Sequence, residues 1–205
     1  MVKMNCTKPS FICNYFKKKK PLSIFFDFVF VVLIALLIYP GTRKDVAAFF
    51  IKLTSLPPST LDSDEQFTIS KQSEQWKVYD LAMHPQTLGK LNEKPVFINI
   101  WATWCPPCIA ELPAIMELYN EYGDRVNFVL ATNENPEKVK AFLLKNNYNK
   151  SPFYLYSGLP VEFQTESIPT TFILDKKGKV MLEKKGAARW NSDKIKRLLD
   201  SMLQH

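Results

Sequence analysis

The run Trp101, Ala102, Thr103, Trp104, Cys105, Pro106, Pro107, Cys108 constrains this chain more than any other feature. It sits between a continuous apolar stretch and a segment with helical periodicity. A C-x-x-C pair at the start of a helix places both sulfurs on its first turn. There they can close a disulfide, and the helix end lowers a thiol pKa. A structural staple is the plainer alternative, but a two-residue loop restricts the unfolded chain so little that its stabilising value is small. Redox chemistry is therefore the expectation, on a strand–turn–helix unit.

The chain has 205 residues, room for one ordinary domain and an extension, and its 46% hydrophobic and 13% aromatic content suffices for a packed core. The net charge of +7 is unevenly placed. Residues 1–44 hold eight basic residues and one acid, Asp27, which leaves 19 bases and 19 acids for the remainder. An excess confined to one apolar segment writes membrane orientation, not nucleic-acid binding. That segment, 22–39, would span roughly 27 Å as a helix, close to the ~30 Å hydrocarbon core. Six lysines precede it, and Arg43 and Lys44 follow. The positive-inside rule then puts 1–21 in the cytoplasm and 40–205 outside. A cleavable signal peptide is the competing reading. The run is longer than the usual signal core and lacks an A-x-A-like cleavage site, which favours a retained anchor. Cys6 and Cys13 fall in the tail, on the reducing side; Cys105 and Cys108 fall on the oxidising side.

Residues 40–75 read as a juxtamembrane helix over 43–55 followed by a polar spacer over 57–75 with little core of its own. The folded domain is expected over 76–205. Strands are predicted at 76–81, 96–101, 125–131 and 153–156, with a terminal hairpin, 170–174 and 179–183, turning at Asp175, Lys176, Lys177, Gly178. Helices are predicted at 107–122, 136–146 and 192–203, the last capped by Ser192. In the first of these, Ile109, Leu112, Ile115, Met116 and Tyr119 are read as the inward side. Residues 84–95 read as loop. The fold class is α/β, a mixed central sheet flanked by helices.

At the site, Cys105 is expected to be the exposed attacking thiol and Cys108 the enclosed resolving one. Pro106 and Pro107 suit the first helical positions but delete two N–H donors. That predicts a moderately acidic Cys105 and a reducing couple. Trp104 is read as an apolar rim, Trp101 as core, Trp190 as either, and His84 as surface decoration.

The string from Asn99 to Cys108, with Glu111, Leu112 and Pro113, resembles the membrane-anchored TlpA/ResA-type thiol-disulfide oxidoreductases of the thioredoxin-like superfamily. So does Ile168, Pro169, Thr170, Thr171, Phe172 through Asp175 and Gly178. The resemblance implies a thioredoxin fold and a bacterial source. It also implies a cis Pro169 facing the disulfide, with Ile168 offering a backbone edge to substrate, and a kink at Pro113. Glu111 matches the family's acidic residue, and i+3 spacing puts it on the side of Cys108. Its role would be to take and return a proton, against the plain reading of a solvated glutamate. Asn99 stands where ordinary thioredoxins carry a buried aspartate. Asparagine is no base, so the proton task falls to Glu111 or water.

No cofactor is expected beyond the Cys105–Cys108 couple. The implied partners are a disulfide-bearing envelope protein, an apocytochrome c among the candidates, and a membrane electron donor. A thioredoxin-fold copper chaperone and a non-catalytic envelope binding module are the alternatives. Against the first stands the thin ligand supply of residues 40–205, two cysteines and two dispersed histidines. A peroxidase, which uses one cysteine in another motif, fits the double-cysteine string poorly.

Overall fold

The computed structural model describes residues 21–38, 58, 61, 65–148 and 152–204. The expectations for the basic tail with Cys6 and Cys13, for a helix over 43–55 and for His205 lie outside the described residues. The chain divides into two units, 1–46 and 47–205. In the first, Pro21–Ile38 form an 18-residue helix, α1. Among the described residues no helix is long and apolar enough to cross a membrane. In α1 itself the side chains at 21, 22, 33 and 35–38 fall outside that description.

The second unit is an eight-stranded mixed sheet. In chain order its elements are β1 (Phe67–Thr68), α2 (Lys71–Glu74), β2 (Lys77–Asp80), β3 (Pro85–Thr87), α3 (Leu88–Leu91), β4 (Val96–Ile100), α4 (Pro106–Tyr122), β5 (Asn127–Thr132), α5 (Pro136–Lys145), β6 (Phe153–Leu155), a 3-10 turn (Val161–Phe163), β7 (Thr170–Leu174), β8 (Lys179–Lys185) and α6 (Asp193–Leu203). The strands lie in the order β1-β8-β7-β4-β5-β6-β2-β3. β4, β5 and β6 run parallel through helical crossovers, and β7 runs antiparallel to both β4 and β8.

The alternation along β4 explains why it reads as an unbroken apolar run. Val96, Ile98 and Ile100 enter one core with Trp76, Leu88, Phe163 and Phe172. Phe97 enters the other, with α4, Val139 and Leu143 of α5, and Ile195 and Leu199 of α6. Both faces are covered, so both parities must be apolar. Asn99 shares the parity of Phe97 and is fully buried on the face where α4 packs.

Three expectations need correction. Residues 67–74 are not spacer: Phe67 and Thr68 pair with Val180 and Lys179, Ile69 is buried, and Ser73 is tied to the Glu162 carboxylate. Two-residue strands and one-turn helices are too short to leave a periodic trace. The stretch 84–95 contains β3 and α3 for the same reason. Ser192 has the extended backbone of an N-cap, but its hydroxyl makes no capping bond and is buried without a partner among the described residues. The hairpin turn is as expected: Gly178 has φ +74°, where a Cβ would also meet Ile69 at 2.9 Å.

Candidate active site

β4 delivers the chain into the turn Trp101–Trp104, and α4 begins at once. Cys105 is its N-cap, with Pro106 and Pro107 in the first turn. Proline is tolerated there because those N–H groups have no intrahelical partner. The first amide left to serve the cap is that of Cys108, and it donates to Cys105 Sγ at 3.2 Å. The two sulfurs are joined, with Cα atoms 5.3 Å apart. Across the site, the Ile168–Pro169 bond is cis, and the Ile168 carbonyl oxygen lies 3.7 Å from Cys105 Sγ. Trp104 is 60% exposed beside the pair, whereas Trp101 is buried between Phe142 and Phe153.

Cys105 differs from its expected exposure. It is 3% exposed, hardly more than Cys108 at 1%. The segment carrying Ile168 and Pro169 closes over it, a contact between residues 63 positions apart that no local pattern announces.

The inward stripe of α4 is also turned from the expected one. Cys108, Glu111, Leu112, Ile115, Leu118 and Tyr122 are its buried residues, while Pro113 is exposed. Glu111 is thus a core residue, 3% exposed. Its Oε1 accepts from Asn99 Nδ2 at 2.9 Å, and its Oε2 from the Ala188 amide at 3.0 Å and Trp190 Nε1 at 2.8 Å. Burial pushes the carboxyl up to about 7, and these three donors only partly offset it. A carboxyl titrating there, one helical turn from Cys108, can exchange a proton near neutral pH.

Trp190, readable from the sequence as rim or core, is core, and its tie to Glu111, that of Ala188, and the place of Thr171 beside Asn99 have no local sequence signal. Trp190 is fully buried, edge-on to Phe97, with its indole N–H on the carboxylate. Trp190→Phe should lower stability by about 1–3 kcal/mol and raise the Glu111 midpoint, because a donor to a charged group is lost. Urea unfolding and a carboxyl titration measure the two effects. Glu134 was missed as well. From the loop between β5 and α5 it accepts from the Thr103 amide and hydroxyl and from Lys138, and so pins the turn ahead of Cys105. Beside the cis-proline loop, Leu159, Gln164, Thr165, Glu166, Ser167 and Lys185 line a cavity of about 750 Å³. Among the described residues no group of three His, Cys, Asp or Glu is gathered as metal ligands would be.

A Redoxin family model matches residues 76–199. The thiol-disulfide oxidoreductase ResA of Bacillus thuringiensis subsp. konkukian (strain 97-27) is 33% identical over 127 residues, covering 60% of this chain and 73% of that one. The thioredoxin-like protein YneN of Bacillus subtilis (strain 168) is 33% identical over 113 residues, 53% of this chain and 66% of its own length. Among solved structures, DsbF of MTB superposes with a TM-score of 0.53 at 21% identity, over 65% of this chain and 99% of that one. A thiol:disulfide interchange protein of Chlorobium tepidum TLS gives 0.51 at 20% identity, over 73% and 97%. At these identities the structural likeness speaks for the fold, a thioredoxin fold.

Proposed function

The chain belongs to the Redoxin family, and from that premise we propose that it is a thiol-disulfide oxidoreductase that reduces protein disulfides outside the cytoplasmic membrane, held there by residues 22–39. The observation that carries the reading is the Cys105–Cys108 pair at the start of α4, set against the Ile168 carbonyl.

In the dithiol form the Cys105 thiolate attacks one sulfur of a substrate disulfide. A mixed disulfide forms, and the other substrate sulfur leaves with the electron pair. Cys108, deprotonated to Glu111, then attacks Cys105 Sγ. The Cys105–Cys108 bond forms, the bond to substrate breaks, and the substrate departs as a dithiol after taking up protons. Ile168 offers its backbone edge to the substrate strand, Trp104 its exposed ring, and the cavity lined by Ser167 and Lys185 accommodates the residues that follow.

The direction rests on donor supply at the helix start. Among the described residues only the Cys108 amide donates to Cys105 Sγ, because Pro106 and Pro107 carry no N–H. A thiolate with one donor is moderately stabilised, and so is the reduced state of the couple. Pro107→Ala restores a donor. It should lower the Cys105 pKa and make the couple more oxidising by about 30 mV or more. Equilibration with glutathione measures this, and an unchanged potential would count against the donor argument.

The membrane reading is supported by the apolar run 22–39 and by the placement of lysines before it. A reductase in an oxidising compartment needs re-reduction, so the partners proposed are a membrane protein that passes electrons outward and a disulfide-bearing envelope protein, such as an apocytochrome c with its haem-attachment cysteines. The full chain in detergent micelles should cycle between dithiol and disulfide and reduce insulin with dithiothreitol as donor. Stoichiometric copper uptake without turnover would replace this reading by the chaperone one.

A further inference from the structure

Among the described residues every group that hydrogen-bonds Glu111 is a donor. The Ala188 amide and the Trp190 indole can do nothing else, and Asn99 presents its Nδ2. This is the surrounding of an ionised carboxylate. A protonated Glu111 has an O–H of its own and, as the site stands, no acceptor for it among the described residues. Leaving such a donor unmet in a dry core costs as much as a lost hydrogen bond.

Asn99 can change this. Its Nδ2 bridges Glu111 Oε1 and, at 2.8 Å, Thr171 Oγ1, while its Oδ1 is buried with no partner among the described residues. Asn99 and Thr171 face each other in register across β4 and β7, which fixes the bridge in place. A half-turn about the terminal side-chain torsion exchanges Oδ1 and Nδ2, a broad two-fold rotation for an amide. Oδ1 then accepts from the Glu111 hydroxyl and from Thr171, whose hydroxyl donates as readily as it accepts. Each orientation makes two hydrogen bonds and leaves one end of the amide unmet, so neither protonation state is penalised by the bridge.

We propose that Asn99 is a positioning residue for the proton of the exchange reaction, its amide turning end for end to donate to an ionised Glu111 and to accept from a protonated one. The inference rests on Glu111 being the proton carrier of the proposed reaction. When Cys108 gives up its proton and attacks Cys105 Sγ, the proton arrives on Glu111 Oε1, and the rotated amide receives it. When the pair is reduced again, the proton returns and the amide rotates back. The groups that face Glu111 are Asn99 from β4 and Ala188 and Trp190 from the segment before α6; Thr171 of β7 acts through Asn99. Among the described residues none of these partners is charged, and the titratable neighbours along α4 are Cys105 and Cys108.

The test is an NMR titration of the full chain in detergent micelles from about pH 5 to about pH 9, following the Glu111 carboxyl carbon and the Asn99 side-chain amide. The Asn99 amide signals should move with the midpoint of Glu111, and their contact with the Thr171 hydroxyl should weaken below it. In Asn99→Leu both protonation states lose a partner, so the change in unfolding free energy should be alike at the two ends of the range. A fixed donor would confine the loss to the alkaline end. Asn99 signals indifferent to the Glu111 titration, or a loss confined to alkaline pH, would overturn the proposal. Should Asn99→Leu fail to fold, the wild-type titration and Thr171→Val decide it; Thr171→Val should leave the Asn99 signals following Glu111. An inactive wild-type chain whose Asn99 still follows Glu111 removes the reductase reading and keeps the amide rotation. An active chain with an indifferent Asn99 does the reverse.

Discussion

Cys108→Ser should halt turnover at the first covalent step and accumulate a mixed disulfide between Cys105 and substrate. Cys105→Ser should accumulate nothing and lose activity to the uncatalysed background. The asymmetry follows from the geometry. Cys105 Sγ is the sulfur at the helix cap, held by the Cys108 amide and facing the Ile168 carbonyl. Cys108 lies one turn further along α4; both cysteines are nearly buried, at 3% and 1%, so position at the cap and not exposure separates them. In the proposed reaction Cys105 meets the incoming disulfide and Cys108 releases it. Non-reducing gels and mass spectrometry of the Cys108→Ser chain recovered from cells would name the physiological substrate directly. Equal trapping by both serine variants would show that the roles are not divided as proposed.

Glu111 should impose a pH dependence on folding opposite in sign to that of an ordinary carboxylate. Burial raises its folded pKa to about 7 from 4.5. Between those values the native state holds a proton that the unfolded chain has released, so stability falls as pH rises through the window and levels off above it. The shift corresponds to about 3 kcal/mol. Urea unfolding at the two ends of the window should show wild type losing that amount relative to Glu111→Gln, whose side chain does not titrate. The same substitution should slow turnover and move the pH–rate profile, because Cys108 loses its proton acceptor. A variant with the wild-type pH–rate profile would take Glu111 out of the reaction. The buried, thrice-bonded carboxylate is therefore a cost to stability at neutral pH and above, and in the proposed reaction that cost serves the proton it moves.

Much of the fold was readable because long elements advertise their period. β4, α4, β5, α5 and the β7–β8 hairpin all lie within a few residues of their expected places. β1, α2, β3 and α3 leave no trace in the sequence because two to four residues hold no period, and β1 is held besides by a partner distant in sequence, Phe67 meeting Val180. The inward face of α4 was misjudged because Glu111 is charged and hydrophobicity alone assigns it outward. Its spacing from Cys108, Leu112 and Ile115 already placed it on the buried stripe.

The chemistry of this protein was written in a contiguous string. Two cysteines, two prolines and a helix start specify a disulfide couple and its donor supply by local geometry alone. What tertiary structure decided is how deep that couple sits and how deeply the Glu111 carboxyl beside it is buried. Ile168 covers Cys105 from 63 residues away, and Asn99 of β4 meets Ala188 and Trp190 of the segment before α6 on Glu111. Burial and hydrogen-bond partnership are properties of the packed sheet and helices, and together they move a carboxyl from 4.5 to about 7. No run of neighbouring residues could have set that value, since the desolvation that raises it exists only once α4 has packed on the sheet.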